Sequence, residues 1–129
     1  MTRTLAFALL TAFTLSACNE CNVKPGSYTS VGGSEQSTRL TLSEGNNFVV
    51  THDNWQPGHY EKRDTTQSNG TWSCSKNKIT LKGDNSTYNA ELITVGANPL
   101  GLDANSKAIM FGENTGVDYL NKQMLYPDF

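Results

Sequence analysis

A two-residue period in side-chain polarity, broken by a turn signal about every eight to twelve residues, constrains this fold more than any other feature. In Arg39-Leu-Thr-Leu42, Leu40 and Leu42 share a face. Glu44-Gly45-Asn46 supplies a turn, and Asn47-Phe-Val-Val-Thr-His52 returns with Phe48 and Val50 together, which predicts a hairpin. Trp72 and Cys74 share a face in Gly70-Thr-Trp-Ser-Cys74, as do Ile79 and Leu81 in Lys78-Ile-Thr-Leu-Lys82. Tyr88, Ala90 and Leu92 do the same between Thr87 and Thr94. Strand character is also expected over Gly26–Val31, His59–Arg63, Leu100–Leu102, Lys107–Phe111 and Asp118–Lys122. The stretches Gly32-Gly33-Ser34, Asp53–Gly58, Asp64–Asn69, Gly83–Ser86 and Asn98-Pro99 read as breaks. About eight to ten short strands, each with one wet and one apolar face, define a single all-β domain: an antiparallel sandwich or a small closed barrel. No internal repeat marks a solenoid or a propeller.

The chain begins with Met-Thr-Arg and then an apolar run, Thr4 to Leu15. A basic start and a short apolar stretch describe a secretory leader, because a spanning helix needs about 20 apolar residues. Leu15-Ser16-Ala17-Cys18 ends it and looks like a bacterial lipoprotein processing box. On that reading residues 1–17 are removed and Cys18 carries diacylglycerol and an N-acyl chain such as palmitate. Two or three chains anchor stably where a single one is marginal, each buried CH2 contributing about 0.8 kcal/mol. Asn19 stands where lipoproteins retained in the inner membrane commonly carry Asp, so the expected address is the outer membrane. Residues 18–25 read as a lipidated tether and 26–129 as the folded domain.

Lipidation of Cys18 leaves Cys21 and Cys74, which either pair in an oxidising envelope or stay as two partly buried thiols. It also removes Cys18-Asn-Glu-Cys21 from redox or metal chemistry, which requires a free thiolate. Arg3 lies in the leader, so the rest carries nine basic and twelve acidic side chains, net −3. That balance gives no basic face for nucleic acid; the expected partners are the membrane, through the anchor, and an envelope protein.

The ordered series Gly26-x-Tyr28, Leu40-Thr-Leu42, Phe48, Gly70-Thr-Trp72, Ile79-x-Leu81, Tyr88, Leu100-x-Leu102-Asp103, Lys107 and Asp118-Tyr-Leu-Asn-Lys122 resembles the N-terminal domain of the NlpE lipoproteins, a family also called copper-resistance-like or copper-homeostasis lipoproteins. The resemblance spans about residues 26–122. It implies a lipocalin-like β-barrel on an outer-membrane anchor, in a family associated with envelope stress signalling, surface sensing and copper handling. Family members carry a CxxC after the first strand, and here that stretch is Val31-Gly-Gly-Ser-Glu-Gln-Ser37. Without those cysteines, neither metal nor redox chemistry carries over. The second domain of longer members has no counterpart here either.

Few residues suggest chemistry. His52 and His59 flank a Pro-Gly loop near Asp53, with Met110 and Met124 elsewhere, but the spacing matches no ligand pattern, and exposed loop histidines are the ordinary reading. There is no Gly-x-Ser-x-Gly elbow, and the carboxylate pairs Glu61/Asp64 and Asp84/Glu91 read as charged outer faces. Neither a cofactor nor an enzymatic activity is expected. Trp55, in Asn54-Trp-Gln-Pro-Gly58, is either a recognition anchor or a cap on one end of the barrel. Three functions fit: envelope sensing or copper homeostasis by binding, inhibition of an enzyme or toxin through a loop such as 53–59, and carriage of a small apolar ligand inside the barrel.

Overall fold

A computed structural model describes residues 20–31, 35–95 and 106–129. The chain forms eight strands: β1 (Gly26–Ser30), β2 (Gln36–Leu42), β3 (Asn47–Asn54), β4 (Asp64–Ser75), β5 (Lys78–Lys82), β6 (Thr87–Val95), β7 (Ser106–Phe111) and β8 (Met124–Pro127). Each pairs antiparallel with the next, and β8 closes on β1 through Tyr28↔Pro127 and Ser30↔Leu125. The result is a small closed antiparallel barrel, one of the two architectures the alternation allows. Closure leaves no free sheet edge, which suits strands this short.

The inward residues follow the two-residue period. Leu40 pairs with Val50 and Leu42 with Phe48, Trp72 with Leu81, and Ile79 with Ala90. With Tyr28, Tyr88, Leu92, Ile109, Phe111 and Leu125 they make one core. Leu40, Val50, Leu81, Ile109, Leu120 and Leu125 have no exposed surface at all. Burying each contributes about 1.5–3 kcal/mol. An eight-stranded barrel is just wide enough either to be filled by its own side chains or to hold one small ligand. Here its own side chains occupy it, because the inward residues of the described strands pack into one apolar cluster.

Three expectations fail. His59–Arg63 is not a strand: Tyr60–Lys62 is a 3-10 turn, following Pro57 and a Gly58 with φ of +78°. Asp64–Asn69 is not a turn but the first half of the twelve-residue β4. Its backbone completes the ladder to β3 from Asn54↔Asp64 to Val49↔Asn69, although its side chains are polar. Asp118–Lys122 is likewise not the last strand. Asp118–Leu120 is a 3-10 turn that drives Leu120 into the core, and Met124–Pro127 takes the final place in the sheet. The 112–123 connection closes on itself, with Thr115 Oγ1 donating to Asn121 Oδ1 at 2.7 Å and Lys122 N to Gly112 O at 2.8 Å. The strand expected at Leu100–Leu102, the turn at Asn98-Pro99 and the Gly32-Gly33-Ser34 break lie outside the described residues, as do the leader and Cys18.

Gly70 is required by a close approach. A Cβ there would collide with the Lys82 carbonyl oxygen and the Gly83 backbone, so only glycine lets β4 cross the end of β5. The two barrel ends also differ. The start of β1, the β2–β3 and β4–β5 turns and the end of β8 lie at one end, here the lower. The β1–β2, β3–β4, β5–β6 and β7–β8 connections lie at the upper end.

Candidate recognition rim

Strand alternation sorts the candidate residues before any chemistry does. On β3, Phe48, Val50 and His52 point inward while Thr51 and Asp53 point outward. His52 is therefore not an exposed loop histidine. It is buried on a strand and paired across β2 with Thr38, its Nδ1 2.8 Å from Thr38 Oγ1. The Tyr119 ring stacks on it at 4.5 Å, nearly parallel at 10°. Burial lowers the pKa of His52 from its ordinary 6.5, with Asp53 opposing weakly, and burial raises those of Tyr119 and Tyr28. The sequence signal was available, since His52 continues the Phe48, Val50 period.

His59, by contrast, is exposed outside, 3.9 Å from Glu61. The two histidines and Asp53 are thus divided between inside and outside. Met110 is exposed, and the Met124 sulfur accepts from the Tyr126 hydroxyl at 3.1 Å. Among the described residues, no three His, Cys, Asp or Glu side chains converge as a metal site would require. Glu61, Asp64, Asp84 and Glu91 are all exposed. Among the described residues no carboxylate inside the barrel orients His52, and its hydrogen-bonded hydroxyl, Thr38, is buried with it.

Trp55 joins an ordered cluster outside. Its N–H donates to the Glu35 carbonyl at 3.0 Å, which fixes where it leaves β3. The 3-10 turn then brings Tyr60 back against it, ring centroids 4.8 Å apart and edge-on at 89°. The Arg63 guanidinium lies 4.6 Å over the Tyr60 ring, and its Nε is 3.7 Å from Asp53 Oδ1, which also accepts from Thr65 Oγ1 at 2.5 Å. The stack is thus tied to the sheet at both ends. Beneath it a surface hollow of about 330 Å³ is lined by Ser37, Arg39, Thr51, Asp53, Trp55 and Tyr60. Trp55 is half-buried, so it both caps the outer wall and presents a face. Its neighbours Tyr60, Arg63 and Arg39 are not legible as a cluster in the sequence. Arg39 arrives from β2 through the Arg39↔Thr51 register, and the turn that returns Tyr60 reads as a strand.

At the lower end, Cys21 and Cys74 are joined as a disulfide with Cα atoms 5.3 Å apart. Comparison with protein-family models, with curated proteins and with solved structures gave no match.

Proposed function

We propose that this is a non-enzymatic, lipid-anchored outer-membrane protein that acts in the envelope by binding another protein through the Trp55 rim. The observation that carries it is the contrast between a filled lumen and a pre-formed exposed cluster of Trp, Tyr and Arg, the residue types richest in binding energy at interfaces. Binding to such a rim loses little entropy, because Asp53 and Thr65 already hold it. Sensing in the manner of the NlpE-like class suits this surface. So does inhibition of an enzyme or toxin, which the exposed 55–63 connection favours. The filled lumen argues against a carrier, and direct copper handling has no cluster of His, Cys or carboxylate ligands among the described residues.

A photo-crosslinking residue at Gln56, exposed beside an intact Trp55, tests the reading in cells, with the same residue at Asn89, on the outer wall of β6, as control. A discrete protein adduct from position 56 alone is expected. No adduct, or the same adducts from both positions, overturns it.

A further inference from the structure

The lower end of the barrel has its own surface chemistry. From Glu20 onward the chain is fixed to the β4–β5 turn. Lys76 N donates to the Glu20 carbonyl, Asn22 N to the Lys76 carbonyl at 2.9 Å, and Asn22 Nδ2 to Asn77 Oδ1 at 2.9 Å. Cys21 is bonded to Cys74, and Val23 is buried in the core. Cys18 precedes this fixed point by only two positions, so the intervening chain spans at most about 7 Å. That reach is within one screening length at physiological salt, about 8 Å.

A hollow of about 240 Å³ opens at the same end, lined by Asn22, Lys24, Tyr28, Leu92, Lys107, Pro127 and Phe129. Among the described residues its lining carries two cationic side chains, Lys24 and Lys107, and no acidic side chain. Phe129, 66% exposed, stands edge-on to Tyr28 at 5.4 Å. Exposed Lys76 adds a third cation. Among the described residues, the acidic side chains of this end are engaged or set apart: Glu91 faces Lys78 across the β5–β6 ladder, Asp128 accepts from Thr29 Oγ1 at 2.6 Å near Arg39, and Glu44 lies in the β2–β3 turn. Glu20 remains beside the tether. Cations around an aromatic floor match the phosphate and glycerol region of a bilayer, where aromatic side chains also settle.

We infer that the Cys21–Cys74 end lies on the membrane surface, with an anionic phospholipid headgroup between Lys24 and Lys107 and Phe129 in the interfacial layer. This rests on the lipid anchor at Cys18. The Trp55 rim is then displayed at the far end of β3, whose eight residues in a tilted barrel strand carry it roughly 20 Å outward.

The test is lysine acylation by a water-soluble reagent, read by mass spectrometry. The mature lipoprotein in vesicles of phosphatidylethanolamine and phosphatidylglycerol is compared with the leaderless Cys18→Ser protein free in solution. The lipoprotein is expected to float with the vesicles. Lys24, Lys76 and Lys107 should react several-fold more slowly there than in the free protein, while Lys62 and Lys122 at the upper end react equally in both. Replacing phosphatidylglycerol by phosphatidylcholine should weaken protection at Lys24 and Lys107, by roughly fivefold for each cation at an anionic surface. Flotation with equal rates at every lysine leaves the anchor standing and overturns the inference. Protection of Lys62 and Lys122 instead, or protection indifferent to phosphatidylglycerol, also overturns it. Equal slowness of Lys24 and Lys107 in both forms shows that the protein itself shields them, again against the inference. Failure to float removes the anchor and the inference with it.

Discussion

At the lower end of the barrel, the disulfide, the Trp72 indole donating to the Ser43 carbonyl at 2.9 Å and the Val23 contact tie three connections to an apolar floor. At the upper end the inward positions turn polar: Thr38 and His52 are buried, and Ser68 Oγ lies 3.5 Å from the Tyr88 hydroxyl. The outer wall there carries an aromatic–cation stack in place of a core. The lower end is organised for stability and the upper end for display. Substitutions below should therefore register in unfolding, and substitutions above in binding or pH response.

The largest expected effect is at the disulfide. Cys21 and Cys74 are 53 positions apart, and in the chain-entropy model a loop of that length stabilises by about 4 kcal/mol. The Cys21→Ser/Cys74→Ser protein should lose that much in urea unfolding, and reductant should bring the native protein to the same midpoint. A loss below about 1 kcal/mol would break the contrast between the two ends. Next comes Trp72→Phe, which keeps an aromatic ring but removes the indole donor from the Ser43 carbonyl, leaving it the Asn46 N–H at 3.2 Å. The expected loss is about 0.5–1.5 kcal/mol, with an unchanged urea slope.

The core was legible because its apolar positions impose alternation: Leu40, Leu42, Phe48, Val50, Ile79, Leu81, Tyr88, Ala90 and Leu92 all fall where period two puts them. Legibility fails where the barrel turns polar. Asp64–Asn69 has no apolar residue to mark a face, yet the β3 backbone holds it in the sheet. In Asp118–Lys122, Leu120 is buried by a 3-10 plug, and a single inward residue cannot distinguish a plug from a strand. Trp55 was legible as an unusual residue. Its stack with Tyr60 and Arg63 was not, because the nine-residue 55–63 connection and the β3–β4 register assemble it.

His52 gives the upper end a pH response. Burial holds its pKa below the ordinary 6.5, so between those two values the unfolded chain binds a proton that the folded chain does not. The stability contributed by neutral His52 is complete above pH 6.5 and declines as pH falls toward the folded value, by at most about 1.4 kcal/mol per pH unit. Urea midpoints between pH 7.5 and 5.5 should show this decline in the native protein and its loss in His52→Gln. Exposed His59→Gln should keep it. A decline unchanged in His52→Gln would place the titrating group elsewhere.

Trp55→Ala should have the smallest effect on folding and the clearest consequence for the comparison. The side chain is half-buried and packs edge-to-face with Tyr60, a pairing worth about 0.5–1.5 kcal/mol. The backbone bond to Glu35 and the Arg63–Asp53 pair do not depend on the indole, so the connection should hold its shape. The expected loss in urea unfolding is therefore about 1 kcal/mol or less. Yet a Trp at the centre of an interface commonly carries about 2–4 kcal/mol of binding energy. The crosslinking partner, once captured, should bind Trp55→Ala at least about thirtyfold more weakly, while Trp72→Phe, though less stable, binds normally. The reverse pattern, with Trp55→Ala unfolding readily and its residual folded fraction binding at full strength, would make Trp55 a structural cap and move recognition to another face.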